Sequence, residues 1–188
     1  MKNMKRTLTT IVILALTVGA IMAQPRAVGV RAGYNFEASY QHEVGLGSGM
    51  VEVDAGISPF LFSKGYYLDV DGNRIPTTYR YGRAQLVVFY DWKMSILTNL
   101  NWYVGVGAGV SWGYGAFFDS PHYNNNGSLT TYRRLGLPAG LQLGIEYELP
   151  IPLNLSLDWR PMVNVFALRQ GDLVSNLLNI AVGIRYRF

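Results

Sequence analysis

The feature that most constrains this chain is a strict alternation of apolar residues with small or polar ones. It is clearest over residues 102–116. The apolar positions there are Trp102, Val104, Val106, Ala108, Val110, Trp112 and Tyr114, and the positions between them are Tyr103, Gly105, Gly107, Gly109, Ser111, Gly113 and Gly115. Because successive side chains of a β-strand point to opposite faces, the pattern predicts a strand with one apolar face.

The same period of two recurs along the rest of the chain. It covers 50–58, 83–94, 135–149 and 155–166, and it ends in the terminal stretch "AVGIRYRF". Beyond Gln24 no apolar run is long enough for a membrane-spanning helix, which needs about 20 residues. The sequence therefore predicts an all-β fold.

The second face of these strands decides which side of the sheet meets solvent. It combines glycine with charges of both signs, while the apolar face carries aromatic residues near the strand ends. An apolar band bordered by aromatic girdles is typical of a barrel wall that faces lipid. The alternative is a soluble, lipocalin-like barrel with the apolar face inward. Its outer surface would be largely glycine over 105–115, which weakens a strand, and so we favour the membrane orientation.

In this orientation the charged face lines a narrow lumen, and unpaired charges there would be costly. We expect a lumen network of ion pairs formed by Arg31, Glu37, Glu52, Asp54, Arg83, Asp91, Glu146, Asp158, Arg160, Arg185 and Arg187. The glycines would leave room for the long arginine side chains. We expect the aromatic girdle to consist of Tyr90, Trp92, Trp102, Trp112, Tyr114, Tyr147 and Trp159.

The connections between strands also alternate, short ones at 43–49, 95–99 and 150–153 and longer ones at 63–80, 119–133 and 168–174. Short turns on one rim and longer loops on the other are typical of outer-membrane barrels. A closed barrel with both termini on one rim needs an even number of strands. We therefore divide 27–42 into a hairpin near Gly33–Asn35, although the alternation runs through the bend. The predicted fold is a closed, antiparallel, eight-stranded transmembrane barrel with up-and-down connections.

The N-terminus predicts export. Three positive charges in "MKNMKR" precede the twelve-residue apolar run "IVILALTVGAIM" and a small residue, Ala23. We expect a signal peptide over 1–23, with cleavage after Ala20 as an alternative, and a barrel domain over 24–188. Removal of Lys2, Lys5 and Arg6 reduces 16 basic residues to 13 against 12 acidic ones, a net charge of +1. The high isoelectric point is thus no argument for nucleic-acid binding, and the absence of cysteine fits an exported chain without disulfides.

Few residues suggest chemistry. "DSPHY" brings Asp119, Ser120 and His122 close in sequence, but a serine nucleophile needs a base within hydrogen-bond reach and a group that orients it. "DVDGNR" begins like a calcium loop, but its glycine comes too early and Arg80 occupies the position of the bidentate glutamate. We interpret Asp71–Gly72 as the tip of a hairpin. The sequence predicts no catalytic, metal or cofactor site, and hence not an enzyme.

Three stretches carry a family resemblance: "VGIRYRF", "NWYVGVGAGVSWGYG" and "LQLGIEYELPIPLNLSLDWRP". With the hairpin spacing, they make 27–188 resemble the small eight-stranded outer-membrane barrels of the OmpX and OmpA-transmembrane type. The resemblance implies a location in the outer membrane of a Gram-negative bacterium. It also implies that Ile184, Tyr186 and Phe188 form the signal that the outer-membrane assembly machinery reads.

The predicted function is that of a monomeric outer-membrane barrel with a structural or surface-interaction role. Its partners would be membrane lipid and a protein bound at the extracellular hairpins around Asp71–Gly72 and Asn125–Gly127, and its lumen would be closed by ion pairs. The alternatives are a lipid-modifying barrel enzyme and a carrier or narrow channel for a small ligand.

Overall fold

The computed structural model of the chain describes residues 26–44, 48–68, 71–115, 122–123, 129–130, 134–164 and 177–188. Within these ranges no helix is long and apolar enough to cross a membrane. The described strands are β1 Arg26–Gly33, β2 Phe36–Val44, β3 Gly49–Leu68, β4 Arg74–Leu97, β5 Leu100–Tyr114, β6 His122–Tyr123, β7 Leu129–Thr130, β8 Leu135–Gly136, β9 Pro138–Glu148, β10 Leu153–Trp159, β11 Met162–Asn164 and β12 Ile180–Arg187. The predicted signal peptide lies outside the described residues.

The strands form one closed ring. Each strand from β1 to β5 pairs with the next, and β5 pairs with β8 and β9, which together make one barrel strand. β10 and β11 make another, and β12 returns to pair with β1, Val28 opposite Tyr186. Counted in this way the ring has eight antiparallel strands, so the predicted fold is confirmed. β6 and β7 form a separate small hairpin.

The hairpin that we placed near Gly33–Asn35 is confirmed. β1 ends at Gly33, β2 begins at Phe36, and Ala32 lies opposite Phe36. In this register every residue is paired with one of the same parity, so the turn leaves the even-numbered residues on one face throughout. An uninterrupted alternation is therefore the expected signature of this hairpin, and it cannot by itself distinguish the hairpin from one long strand.

The two rims of the barrel differ. The short-turn rim carries the connections 45–48, 98–99 and 149–152 together with both ends of the barrel, where the amide of Phe188 donates to the carbonyl of Arg26 at 2.9 Å. The long-loop rim carries the other connections. The long connection predicted over 63–80 is itself a hairpin of two strands, because β3 continues to Leu68 and β4 begins at Arg74, on either side of the predicted tip.

This β3–β4 hairpin projects beyond its neighbours. The β2 pairing of β3 ends at Ile57, and the β5 pairing of β4 ends at Gly82. Its tip includes Gly72, whose φ of 80° is the left-handed conformation that glycine adopts without steric cost. The tip agrees with the turn that we assigned to Asp71–Gly72. Residues 124–128, which contain the second predicted hairpin tip, lie outside the described residues, as do Asp119 and Ser120.

A β-bulge interrupts β3 where the hairpin leaves the barrel. Ser58 lies opposite Arg83 and Leu61 opposite Tyr81, so β3 has one residue more than β4 across this interval. Pro59 falls within the bulge, where the lack of an N–H group does not cost a ladder hydrogen bond. The extra residue reverses the faces of β3, and Phe62 therefore points outward.

The apolar face lies on the outside of the ring. Val106, Leu141 and Val182 are 50%, 55% and 60% exposed, whereas Glu52 and Asp91 inside are 0% exposed. A water-soluble sheet would place these groups the other way round. The outer surface is therefore one that hydrocarbon stabilises, as the membrane orientation predicts.

Substitution of Val106 by arginine tests this orientation. Val106 lies near the middle of β5, directly opposite Leu141, and an arginine on a lipid-facing wall near the bilayer midplane costs about 2–4 kcal/mol. We expect Val106→Arg and Leu141→Arg each to lower the free energy of unfolding in lipid vesicles, measured by urea titration, by that amount. Thr78→Arg in the projecting hairpin is the control and should change it by less than about 0.5 kcal/mol. Equal effects at all three positions would contradict the orientation.

Candidate functional site: the charged interior

The interior is organised around one carboxylate, that of Glu52 on β3. It is fully buried, and both of its oxygens accept hydrogen bonds. Oε1 accepts from Ser39 Oγ at 3.0 Å, Arg160 at 2.5 Å and Arg185 at 2.8 Å, and Oε2 accepts from Gln41 Nε2 at 3.0 Å and Gln142 Nε2 at 3.1 Å. These donors come from β2, β9, β12 and the residue after β10. A single side chain thereby connects opposite sides of the ring.

Arg31 forms a second group of contacts beside Glu52. Its guanidinium donates to Glu37 Oε2 at 2.6 Å and, through Nε and a terminal nitrogen, to Asp158 Oδ2 at 2.9 and 2.8 Å. Asp54 lies 3.7 Å from Arg31 and also forms an ion pair with Arg160. Arg160 thus joins the Arg31 group to Glu52, and the two groups form one network.

An apolar cluster lies beside this network in the interior. Val87 and Phe89 point inward from β4 and contact Met162 within one buried cluster. The guanidinium of Arg160 stacks over the Phe89 ring at 4.5 Å from its centroid, a cation–π contact. A Cβ atom at Gly107, across from Phe89, would overlap the ring.

The interior glycines make room for bulky neighbours of several kinds. We expected them to accommodate arginine, and a Cβ at Gly29 would indeed overlap the side chain of Arg185. Gly107 instead leaves space for Phe89, and Gly105 leaves space for the carboxylate of Asp91. The interior glycines therefore leave space for side chains of different chemistry and not for arginine alone.

Eight of the eleven residues predicted for the lumen network form ion pairs with other members of that set. Seven of them, all except Glu146, belong to the two groups around Glu52 and Arg31: Arg31, Glu37, Glu52, Asp54, Asp158, Arg160 and Arg185. Glu146 lies 3.6 Å from Arg185 and 2.8 Å from Lys93. Arg187 pairs with Glu148 at 2.6 Å on the short-turn rim.

The remaining two predicted residues are Asp91 and Arg83. Asp91 is fully buried, and neither of its carboxylate oxygens accepts a hydrogen bond from the described residues. Arg83 is half-buried near the long-loop rim, opposite Gly113.

Sequence reasoning missed the uncharged members of the network. Gln41 and Gln142 donate to Glu52, and Gln85 donates to Glu37 at 2.7 Å. The alternation places all three glutamines on the interior face, so their position could have been predicted from the sequence. They were left out of the predicted network because only charged residues were included in it.

The predicted girdle residues lie on the outer surface. Trp112, Tyr114 and Trp159 end their strands toward the long-loop rim, and Trp92, Trp102 and Tyr147 lie toward the short-turn rim. Tyr90 lies opposite Val106, near the middle of the wall. All are exposed except Trp102, which is partly covered. Ile184, Tyr186 and Phe188 also point outward, at 43%, 51% and 62% exposure. Their role as an assembly signal stays a prediction.

The described residues contain no group of three or more acidic or histidine side chains placed to hold a metal ion. An apolar outer wall with aromatic residues toward both rims, around a buried ionic interior, defines a small transmembrane β-barrel of the outer-membrane type. The sequence matches no protein-family model and no curated relative.

Among solved structures, the chain is similar to a major outer-membrane protein of Thermus thermophilus, with 18% identity and a TM-score of 0.49 over 88% of this chain and 100% of that one. It is also similar to Neisserial surface protein A, with 11% identity and a TM-score of 0.47 over 88% and 94%. The outer-membrane protein Ail of Yersinia pestis has 14% identity and a TM-score of 0.40 over 88% and 98%.

Substitution of Glu52 by glutamine tests the network. The amide keeps the volume but leaves Arg160 and Arg185 without their shared carboxylate, and removal of one partner of a buried ion pair costs about 3–5 kcal/mol. We expect Glu52→Gln to lower the free energy of unfolding in micelles by that amount. Glu43→Gln on the short-turn rim, where Lys93 lies 3.6 Å away, should cost about 0–1 kcal/mol. Similar losses for the two variants would contradict a central role for Glu52.

Proposed function

We propose that the chain is an integral outer-membrane β-barrel protein of a Gram-negative bacterium, with a structural or surface-interaction role and no enzymatic one. The observation that carries the proposal is the inverted polarity of the ring, apolar outside and ionic inside. Such a ring is stable only where hydrocarbon surrounds it. One chain is sufficient to form the barrel, because β1 pairs with β12 and closes the ring within that chain.

The proposed route to the membrane uses both ends of the sequence. The signal peptide over 1–23 would direct export across the inner membrane, and Ile184, Tyr186 and Phe188 would present the final strand to the assembly machinery. Support comes from the common outward orientation of these residues on β12 and at the residue after it, and from the pairing of β12 with β1, which closes the ring. The last strand would then be recognised before closure and become part of the wall afterwards.

The lumen would serve to hold the ring together and not to pass solutes. Eight strands enclose a space that side chains can fill. Here the Glu52 contacts and the layer of Val87, Phe89 and Met162 cross that space. Both favour a closed structural barrel over the alternative of a narrow channel.

The β3–β4 hairpin is the proposed site of surface interaction. Beyond Ile57 and Gly82 its two strands pair only with each other among the described strands of the barrel ring. A strand edge of this kind can accept a further strand from another protein. The partner would add along the edge of β4 near its start at Arg74, where tyrosine and arginine side chains, such as the Tyr66–Arg74 cation–π pair, supply further contacts.

Epitope tags test the location and the direction of the hairpin together. A tag inserted after Gly72, at the tip, should bind antibody on intact cells, because the long-loop rim would face outward. A tag inserted after Asn99, in the tight turn on the opposite rim, is the matched control and should bind only after the outer membrane is permeabilised. Labelling of the Asn99 tag on intact cells, or of neither tag on intact cells, would contradict the proposal.

A further inference from the structure

Asp91 on β4 is a buried carboxylate whose hydrogen-bonding capacity is not used within the described residues. The residue is 0% exposed, and neither of its carboxylate oxygens accepts a hydrogen bond from them. Buried polar groups are normally satisfied, and a bound ion is one of the ways in which that is achieved. The surroundings of Asp91 therefore bear on what could bind there.

Gln142 supplies a second oxygen in the same row of the sheet. Asp91 lies opposite Gly105 on β5, and Gly105 lies opposite Gln142 on β9. Because Gly105 has no side chain, the Asp91 carboxylate lies over it, in the space that a Cβ would occupy. Gln142 is fully buried, and its Nε2 donates to Glu52 Oε2 at 3.1 Å. Its Oε1 accepts no hydrogen bond from the described residues.

Tyr103 supplies a third oxygen from the next row. It is the interior neighbour of Gly105 along β5 and is 0% exposed. Its hydroxyl lies over Gly144, the residue opposite Tyr103 and the interior neighbour of Gln142 along β9. This hydroxyl has no hydrogen-bond partner among the described residues. Three adjacent strands thus bring one carboxylate and two neutral oxygens to the same part of the interior.

The charge of the interior favours a cation. Among the described residues, six carboxylates and three guanidinium groups are buried: Glu37, Glu52, Asp54, Asp91, Glu146 and Asp158 against Arg31, Arg160 and Arg185. Lys93 pairs with Glu146 at 2.8 Å and raises the cations to four, so six negative charges face four positive ones. An uncompensated buried charge is costly. Uptake of a further cation would reduce that cost.

A cavity at the short-turn rim provides an approach to Asp91. Its volume is about 190 Å³, and Met50 and Lys93 are among its lining residues. Met50 lies directly opposite Asp91, and Lys93 is the next interior residue of β4. The cavity therefore reaches the immediate neighbours of Asp91, and a small ion has to pass only side chains to arrive there.

We propose that Asp91, Gln142 and Tyr103 bind a small monovalent cation with the chemistry of Na⁺ inside the barrel. Hard cations take carboxylate, amide and hydroxyl oxygens as ligands. One carboxylate with two neutral oxygens carries a single negative charge, which matches a monovalent ion. The three acidic or histidine side chains that would favour a divalent ion are not grouped anywhere in the described part of the chain. This inference goes beyond the proposed function and does not depend on it.

The test uses Na⁺ itself with the purified barrel in detergent micelles. Sodium chloride is compared with N-methyl-D-glucamine chloride, whose bulky cation cannot enter the interior, at matched ionic strength and pH. Heteronuclear NMR follows the amide signals of Asp91, Gly105 and Gln142. We expect Na⁺ to shift these signals saturably and the bulky cation to leave them unchanged. Equal shifts with both salts, or no saturable shift with Na⁺, would overturn the proposal.

Variants locate the site. Asp91→Asn keeps the volume of the side chain and should abolish the saturable shift at Gly105 and Gln142. Because the carboxylate accepts no hydrogen bond from the described residues, this variant without Na⁺ should unfold at a urea concentration no lower than the parent protein does. Tyr103→Phe removes one neutral ligand and should weaken Na⁺ binding about fivefold.

Asp71→Asn, at the tip of the projecting hairpin, is the matched control and should bind Na⁺ as the parent protein does. Two results would refute the site. One is Na⁺ binding that survives Asp91→Asn, and the other is a loss of stability on that substitution in the absence of Na⁺.

Discussion

The carboxylate of Glu52 is the interaction on which the rest of the structure depends. A charge held away from water is tolerated only when its hydrogen-bonding capacity is met, and five donors from other parts of the ring meet it here. Those donors reach the centre only if the ring is closed and its registers are fixed. Closure of the ring, strand register and the packing of the interior therefore stabilise one another. The ionic interior connects strands that are far apart in sequence.

Because the charged residues lie inside the ring, the apolar residues lie on its outside. The outer surface of valine, leucine and aromatic side chains cannot be stable in water, and the backbone of a membrane-spanning sheet must have no open edge within hydrocarbon. The pairing of β1 with β12 removes that edge. Among the described strands of the ring, β3 and β4 extend past their neighbours, and the bulge at Pro59 lies where the β3–β4 hairpin leaves the barrel.

The orientation of the side chains could be predicted from the sequence because alternation is a local property of a strand. The hairpin at Gly33–Asn35 required an argument about strand number, since its register preserves the alternation. The bulge at Pro59 was missed, because one extra residue shifts the pattern without ending it. The partners of Glu52 could not be derived, since alternation identifies a face but not which of the facing strands a side chain reaches across the lumen.

All four tryptophans of the chain provide the most direct test, because Trp92, Trp102, Trp112 and Trp159 belong to the outer surface. The measurement is tryptophan fluorescence of the barrel in vesicles, with quenchers attached to the lipid chains or dissolved in the water. The inverted polarity of the ring predicts strong quenching by the lipid-attached groups and weak quenching by the aqueous one. The opposite result, with emission quenched from water and unaffected by the lipid-attached groups, would show that the apolar face does not meet hydrocarbon.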